Sequence, residues 1–265
     1  MRTLDFFSTH PVFSLDEATQ ALAPRGGRAA TVGRLKHHLA TGRLVLVSRA
    51  VYAVVPPGVH AGAFVPDPLL VAAKARPDAV FAYHTALELL GVAHSAWART
   101  VVFTARRRAP LALGTAEVRF LEDPLPLRTA DLRRLGSRGV ERRGSILRAT
   151  GPERTLVECL RRPALAGGLE ELLESAAAFA SLDLELLREI LERYDTARLW
   201  AAAGWFLEQH QRDFSVPGAY LSELEPRRPA AVQYLERAQR GGRLASRWNL
   251  VLPDDVAGRG AADER

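Results

Sequence analysis

One cysteine, Cys159, and two lysines, Lys36 and Lys74, stand in a chain of 265 residues. A lone cysteine closes no intramolecular disulfide and builds no cysteine-cluster zinc site, so a reducing compartment, the cytoplasm, is expected, with Cys159 as a small apolar core residue. Long apolar runs are missing too. The longest charge-free stretch, Ala50–Pro66, carries Pro56, Pro57, Gly58 and His60, which excludes a bilayer-spanning helix there. The start of the chain is interrupted by Asp5, His10 and Pro11 and has no basic region leading into an apolar one, so neither a signal peptide nor a membrane partner is expected.

The signatures of several enzyme classes are absent. No phosphate loop ends in Gly-Lys-Ser or Gly-Lys-Thr, and no His-Glu-x-x-His zinc spacing occurs. Gly144-Ser145 is not followed by the aspartate pair that a magnesium-dependent nucleotidyltransferase needs, and neither lysine completes a metal-dependent nuclease core. No catalytic residue, metal or cofactor is expected, and the chain reads as a non-enzyme. A triad assembled from distant Ser, His and Asp stays open, because such geometry leaves no trace in sequence order. His84, between Tyr83 and Thr85 at a helix start, reads as a cap or core hydrogen-bonder rather than a base.

What is present is enough apolar content, 48%, for a real core, and a net charge of +6 that is unevenly spread. Residues 1–60 carry +4, 61–98 carry −1, 99–148 carry +7 and 149–265 carry −4. A basic small domain followed by an acidic helical end fits a polyanion ligand, although an arginine excess also decorates ordinary solvated surfaces.

Phe13-Ser14-Leu15-Asp16-Glu17 opens a helix as a capping box, with Ser14 and Glu17 as the reciprocal pair, and Pro24 with Gly26-Gly27 stops it after about two turns. A second helix is expected over Ala29–Ala40, with Val32, Leu35 and Leu39 turned inward. Leu44–Val47 and Val51–Val55, split by Ser48-Arg49-Ala50, form a hairpin. Helix, turn, helix and hairpin make a winged helix-turn-helix, and residues 2–9 supply a helix beneath it. Pro56-Pro57-Gly58 and Pro66-Asp67-Pro68 bracket a linker, so the domains expected are 1–60 and 61–265. In the second, helices are expected at Pro68–Ala75 and His84–Leu90 and strands at Thr100–Thr104, Glu117–Leu121 and Ser145–Thr150. From Pro152 the pattern is helical, Trp248–Leu252 returns as a strand, and residues 254–265 form a frayed tail. The fold class expected is α+β: a winged helix-turn-helix followed by a larger mixed domain ending in a helical, bundle-like region.

Four segments, in order, resemble the AbiEi family of antitoxins from type IV toxin–antitoxin systems. They are the hairpin Leu44–Tyr52, Tyr83-His84-Thr85-Ala86-Leu87-Glu88-Leu89-Leu90-Gly91, Gly151-Pro152-Glu153-Arg154-Thr155-Leu156-Val157-Glu158-Cys159-Leu160 and Arg247-Trp248-Asn249-Leu250. The resemblance implies a transcriptional autorepressor that binds double-stranded DNA at its own promoter. It also implies an antitoxin, with a part in phage defence, that neutralises a nucleotidyltransferase-like toxin without forming a stable complex. Ala50 stands where relatives often carry glycine; if the tip demands a positive φ, alanine adopts it at a cost.

On the second helix, a step of about 100° per residue puts Gly33, Arg34, His37 and Thr41 opposite the apolar stripe. Arg34 is the first choice for a guanine edge, and Gly33 lets the backbone approach. Arg28 and Thr31 at the helix entrance, with Lys36 and Arg43 on its flanks, are candidate phosphate contacts. Both His37 and the wing-tip Arg49 join the DNA-binding set. A second basic block, Arg106, Arg107, Arg108, Arg133, Arg134, Arg142 and Arg143, either extends the DNA footprint, forms an antitoxin surface, or is solvated loop charge. Two other functions remain on the table at this point: a winged-helix regulator whose larger domain senses a ligand or protein, and a nucleic-acid-processing enzyme.

Overall fold

The structure, a computed structural model, describes residues 2–22, 25–236 and 241–254; the tail expected from residue 254 lies, beyond Asp254, outside the described residues. Among the described residues there are ten α-helices and three sheets, a mixed α/β architecture, and no helix is long and apolar enough to cross a membrane. The chain divides into two compact units. Residues up to Phe81, 98–123 and 139–148 form the first, and residues 82–97, 124–138 and 149 onward form the second. Neither unit is continuous in sequence, so this division does not follow the proline-rich stretch at 56–68.

The first unit opens with α1 (Thr3–Thr9), β1 (Val12–Ser14), α2 (Leu15–Leu22), α3 (Gly27–Ala40), β2 (Leu44–Ser48) and β3 (Val51–Val54). The capping box forms: the Glu17 amide donates to Ser14 Oγ at 3.2 Å, and the Ser14 amide donates to Glu17 Oε2 at 2.8 Å. Strand β3 lies between β1 and β2, antiparallel to both. At three residues β1 is too short for a period-two pattern to announce it. Phe6, Phe7, Phe13, Leu35, Leu44 and Tyr52 fill the core, with Phe13 stacked on Tyr52 at 5.7 Å.

The stretch read as a linker is tied down at its end. Asp67 Oδ1 caps α4 (Pro68–Ala75) by accepting from the Leu69 and Leu70 amides, with Pro68 in the first helical turn. Helix α4 packs on β1 and β3, and Lys74 donates to Glu17 Oε1. Burial pushes the Glu17 carboxyl up, but Lys74 and the Ser14 amide outweigh it and hold the group below its ordinary range. The capping carboxylate of α2 thus also anchors α4.

A six-stranded sheet follows, built of β4 (Val80–Phe81), β5 (Arg99–Thr104), β6 (Leu111–Leu113), β7 (Ala116–Glu122), β8 (Ser137–Arg142) and β9 (Ser145–Thr150), in the order β6-β7-β5-β4-β9-β8. The three strands expected from sequence are β5, β7 and β9, and β5 runs parallel to β7.

The second unit holds α5 (His84–Leu89), α6 (Pro152–Arg161), α7 (Leu169–Ala177), α8 (Leu184–Tyr194), α9 (Ala197–Gln209) and α10 (Gly218–Leu224), with α6 packed against α7, α8 and α9. A small sheet, β10 (Gln233–Tyr234), β12 (Leu250–Leu252) and β11 (Arg243–Ala245), closes the described chain. Sequence placed the final strand from Trp248, but Trp248 sits in a 3-10 turn and only Leu250–Leu252 are extended. The reason is Asn249, which turns left-handed at φ 49° and donates from Nδ2 to the Pro229 carbonyl. Trp248 is fully buried and donates from Nε1 to Glu208. Its ring lies against Gly204 of α9, where a Cβ would meet it at 2.2 Å. Gly204→Ala is therefore expected to cost about 3 kcal/mol through overpacking, read as a lower midpoint in urea unfolding with unchanged slope.

Candidate nucleic-acid interface

Helix α3 buries Thr31, Leu35 and His38, while Val32 and Leu39 are only partly covered. The inward stripe is turned by about one residue from the apolar one. His38, a residue that periodicity assigns to the surface, sets its ring edge-on to Phe7 of α1 at 5.0 Å. This rotation corrects one candidate: Thr31 is fully buried and its hydroxyl donates to the Gly27 carbonyl at 3.1 Å, so it cannot reach a phosphate. The other side of the helix is open. Gly33, Arg34, Lys36, His37 and Thr41 are exposed, and nothing lies within 4 Å of a Cβ placed on Gly33.

Around that face, Arg28 is paired with Asp16 of α2, which holds its guanidinium beside the start of α3. Arg43 is exposed just before β2, and Arg49 is exposed in the two-residue turn between the paired Ser48 and Val51. The next residue in that turn, Ala50, does adopt φ +62°, a left-handed conformation that costs an alanine roughly 1–2 kcal/mol. Its carbonyl is used, accepting from the Leu15 amide at 2.8 Å. Chemically the surface is a cationic helix face with one unobstructed glycine, flanked by a cationic turn.

The second basic block is split. Arg106, Arg107 and Arg108 are exposed after β5 in the first unit. Arg142 Nε donates to Asp67 Oδ2 at 2.8 Å and Arg143 approaches the same oxygen at 3.9 Å, so these two answer an internal carboxylate. Arg134 is exposed, whereas Arg133 is half-buried in the second unit and offers its carbonyl to Arg154.

In the second unit two of the segments that carry the family resemblance, Tyr83–Gly91 and Gly151–Leu160, meet in one buried polar centre. Glu158, fully buried on α6, accepts from Tyr83 Oη at 3.3 Å and from Tyr194 Oη, and pairs with Arg154 at 3.5 Å. Burial raises its carboxyl above the ordinary range against the pull of Arg154, Tyr194 and Arg161, and burial likewise holds both tyrosine hydroxyls far above theirs. Arg154, also fully buried, donates to the Arg133 and Leu135 carbonyls at 2.9 and 3.0 Å. Tyr83 reaches Glu158 from a strained backbone, φ 57° and ψ −136°. Next to it, His84 lies 3.5 Å from Glu171, whose Oε1 accepts from Ser175 Oγ, the His94 amide and the Ser95 amide. Burial pushes Glu171 up, and those hydrogen bonds more than reverse it. Ser175 thus donates to a glutamate and not to His84, an order unlike that of a hydrolytic triad. Sequence reading missed Glu158, Glu171 and Ser175; the four-residue spacing of Arg154 and Glu158 on one helix was the available signal.

Removing one partner of a buried pair leaves the other charge unanswered. Arg154→Leu is expected to lower stability by about 3–5 kcal/mol. The double change Arg154→Leu with Glu158→Leu is expected to cost less than the two single changes added together, measured by denaturant unfolding of all three variants.

Residues 78–209 match the family model described as the AbiEi antitoxin C-terminal domain. No curated protein matches the chain. Among solved structures, the chain is similar to the crystal structure of the RV2827C protein from Mycobacterium tuberculosis, with a TM-score of 0.60 and 22% identity, over 91% of this chain and 86% of that one. That likeness describes the fold. The matched segment spans the Tyr83-His84 elbow, the Pro152–Leu160 helix and the buried centre they build, and the chain belongs to the AbiEi antitoxin family.

Proposed function

We propose that the protein is a DNA-binding autorepressor and antitoxin, in which α1 to β3 act as a winged helix-turn-helix on the protein's own promoter and the remainder counteracts a nucleotidyltransferase-like toxin in the cytoplasm. The observation that carries the DNA half is the exposed face of α3, where Arg34, Lys36 and His37 surround Gly33 beside the Arg49 turn in a segment of net charge +4. A helix of this kind enters the major groove, and the β2–β3 turn lies beside it as a wing against a phosphate or the minor groove. The antitoxin half rests on membership of the AbiEi family. The division of labour we favour is residues 1–60 for DNA and 61–265 for the toxin, with α4 supporting the first part through Lys74 and Glu17.

In this reading the protein is not an enzyme, and Arg28, Gly33, Arg34, Lys36, His37, Arg43 and Arg49 are the DNA contacts. Of the second block, Arg106, Arg107 and Arg108 are exposed in the first unit and extend its cationic surface, while Arg134 is exposed in the second. Toxin neutralisation without a stable complex predicts that co-purification of the two proteins recovers no stoichiometric assembly on gel filtration. A surviving complex would remove the type IV assignment and leave the DNA role standing.

Arg34 and Arg49 are expected to fail differently. Arg34→Ala should weaken promoter binding by about 1–3 kcal/mol and relax preference at one base position, with less effect on random duplex. Arg49→Ala should weaken both duplexes alike and reduce the slope of log K against log salt by about 1. Titrating both variants against promoter and scrambled duplex at several salt concentrations separates them; equal, small losses everywhere would move the recognition surface elsewhere. Arg34→Ala should also still rescue cells from the toxin.

A further inference from the structure

Among the described residues His38 is the one ionisable side chain that α3 turns into the core of the first unit. It is 9% exposed, and its Nδ1 is buried without a hydrogen-bond partner among the described residues. The charged groups that act on it all disfavour a proton. Phe7 of α1 meets the ring edge-on at 5.0 Å, and the charges acting on it are His37 and Arg34 on α3 and Arg43 before β2, all basic. The acids of α2 are engaged elsewhere, Asp16 with Arg28 and Glu17 with Lys74. Asp5, the acid of α1, is exposed and is not among the charges acting on the ring, so no carboxylate among the described residues answers an imidazolium.

We propose that His38 makes this assembly acid-sensitive: a proton on its imidazole separates α3 from α1 and releases the nucleic acid. The proposal rests on the nucleic-acid reading of α3. Burial first, then His37, Arg43 and Arg34, hold the folded-state value below the ordinary one near 6.5. The neutral ring therefore contributes stability that is complete above that ordinary value and is lost as pH falls through it toward the depressed folded value. Simple surface electrostatics predicts the reverse for binding. Exposed histidines in general strengthen attraction to phosphates as pH falls.

The two effects have opposite signs, and the full-length protein can be titrated with its own promoter duplex from pH 7.5 to 5.5 at constant salt. The expected result is at least a tenfold loss of affinity in the wild type. In His38→Leu, which keeps an apolar side chain against Phe7, the affinity should stay level or rise; His37→Gln should keep the loss. Affinity that rises steadily on acidification in the wild type overturns the proposal, as does a loss that persists in His38→Leu. If the protein binds no duplex at any pH, the DNA reading fails, and amide hydrogen exchange then judges the switch alone. Protection of α1 and α3 should fall at least tenfold at pH 5.5 in the wild type, after correction for intrinsic rates. The same readout, with the His38 ring-proton resonances of the wild type, decides the matter if His38→Leu does not fold: protonation of the ring with α1 and α3 still protected overturns the proposal.

Discussion

A carboxylate withdrawn from water has to be answered by donors and cations from the protein, and Glu158 is the group around which the second unit is arranged. Its four partners come from three elements: Tyr83 at the start of α5, Arg154 and Arg161 on α6, and Tyr194 at the end of α8. Arg154 carries the constraint further by binding two carbonyls of the turn at Arg133–Leu135. Thr155 completes the start of α6, its hydroxyl sharing a hydrogen bond with Thr150 at 2.7 Å, and Glu153 accepts from the Asp183 amide ahead of α8. Glu153, Arg154 and Thr155 thus form a joint, each fixing a different neighbour. A buried ionic group of this kind adds little net stability but penalises any packing that leaves it unpaired.

The same economy of charge explains why the count of basic residues overstates the cationic surface. Arg154 is internal, Arg142 is bound to Asp67, and Arg247 bridges Glu208 at 2.8 Å and Glu225 at 3.1 Å behind the Trp248 ring. Nearly all the positive charge is arginine, whose planar fork takes several acceptors at once and so serves inside a fold where lysine would not. The exposed basic residues of the first unit include those on the outer side of α3, in the turn at Arg49 and in the loop at Arg106–Arg108.

In the first unit, α3 packs chiefly on α2 and β2, and its His38 meets α1. Phe6 and Phe7 supply the aromatic floor, His38 packs on Phe7, and the helix rolls so that Thr31, Leu35 and His38 face inward. The outward side is then the set centred on Gly33, Arg34 and His37. A residue that periodicity would leave in water therefore decides which face is presented.

The order of elements was legible in the sequence because it rests on local physics. The capping box at Ser14–Glu17, the helix at Pro68–Ala75 behind Asp67, the strands near Thr100, Glu117 and Ser145 and the helix after Pro152 all declare themselves through caps, proline positions and apolar spacing within a few residues. The family resemblance was legible for the same reason, as short ordered segments. Tertiary structure alone decided the rest. Short strands such as β1 and β4 exist through long-range pairing and have no period of their own. The inward face of α3 was set in its packing, where His38 meets Phe7, and the role of Arg142 by a carboxylate 75 residues away. The Glu158 centre gathers Tyr83, Arg154 and Tyr194 across more than a hundred residues. A side chain's spacing along one helix tells which neighbours it has on that helix; whether its charge faces water or a buried partner depends on segments that sequence order keeps apart.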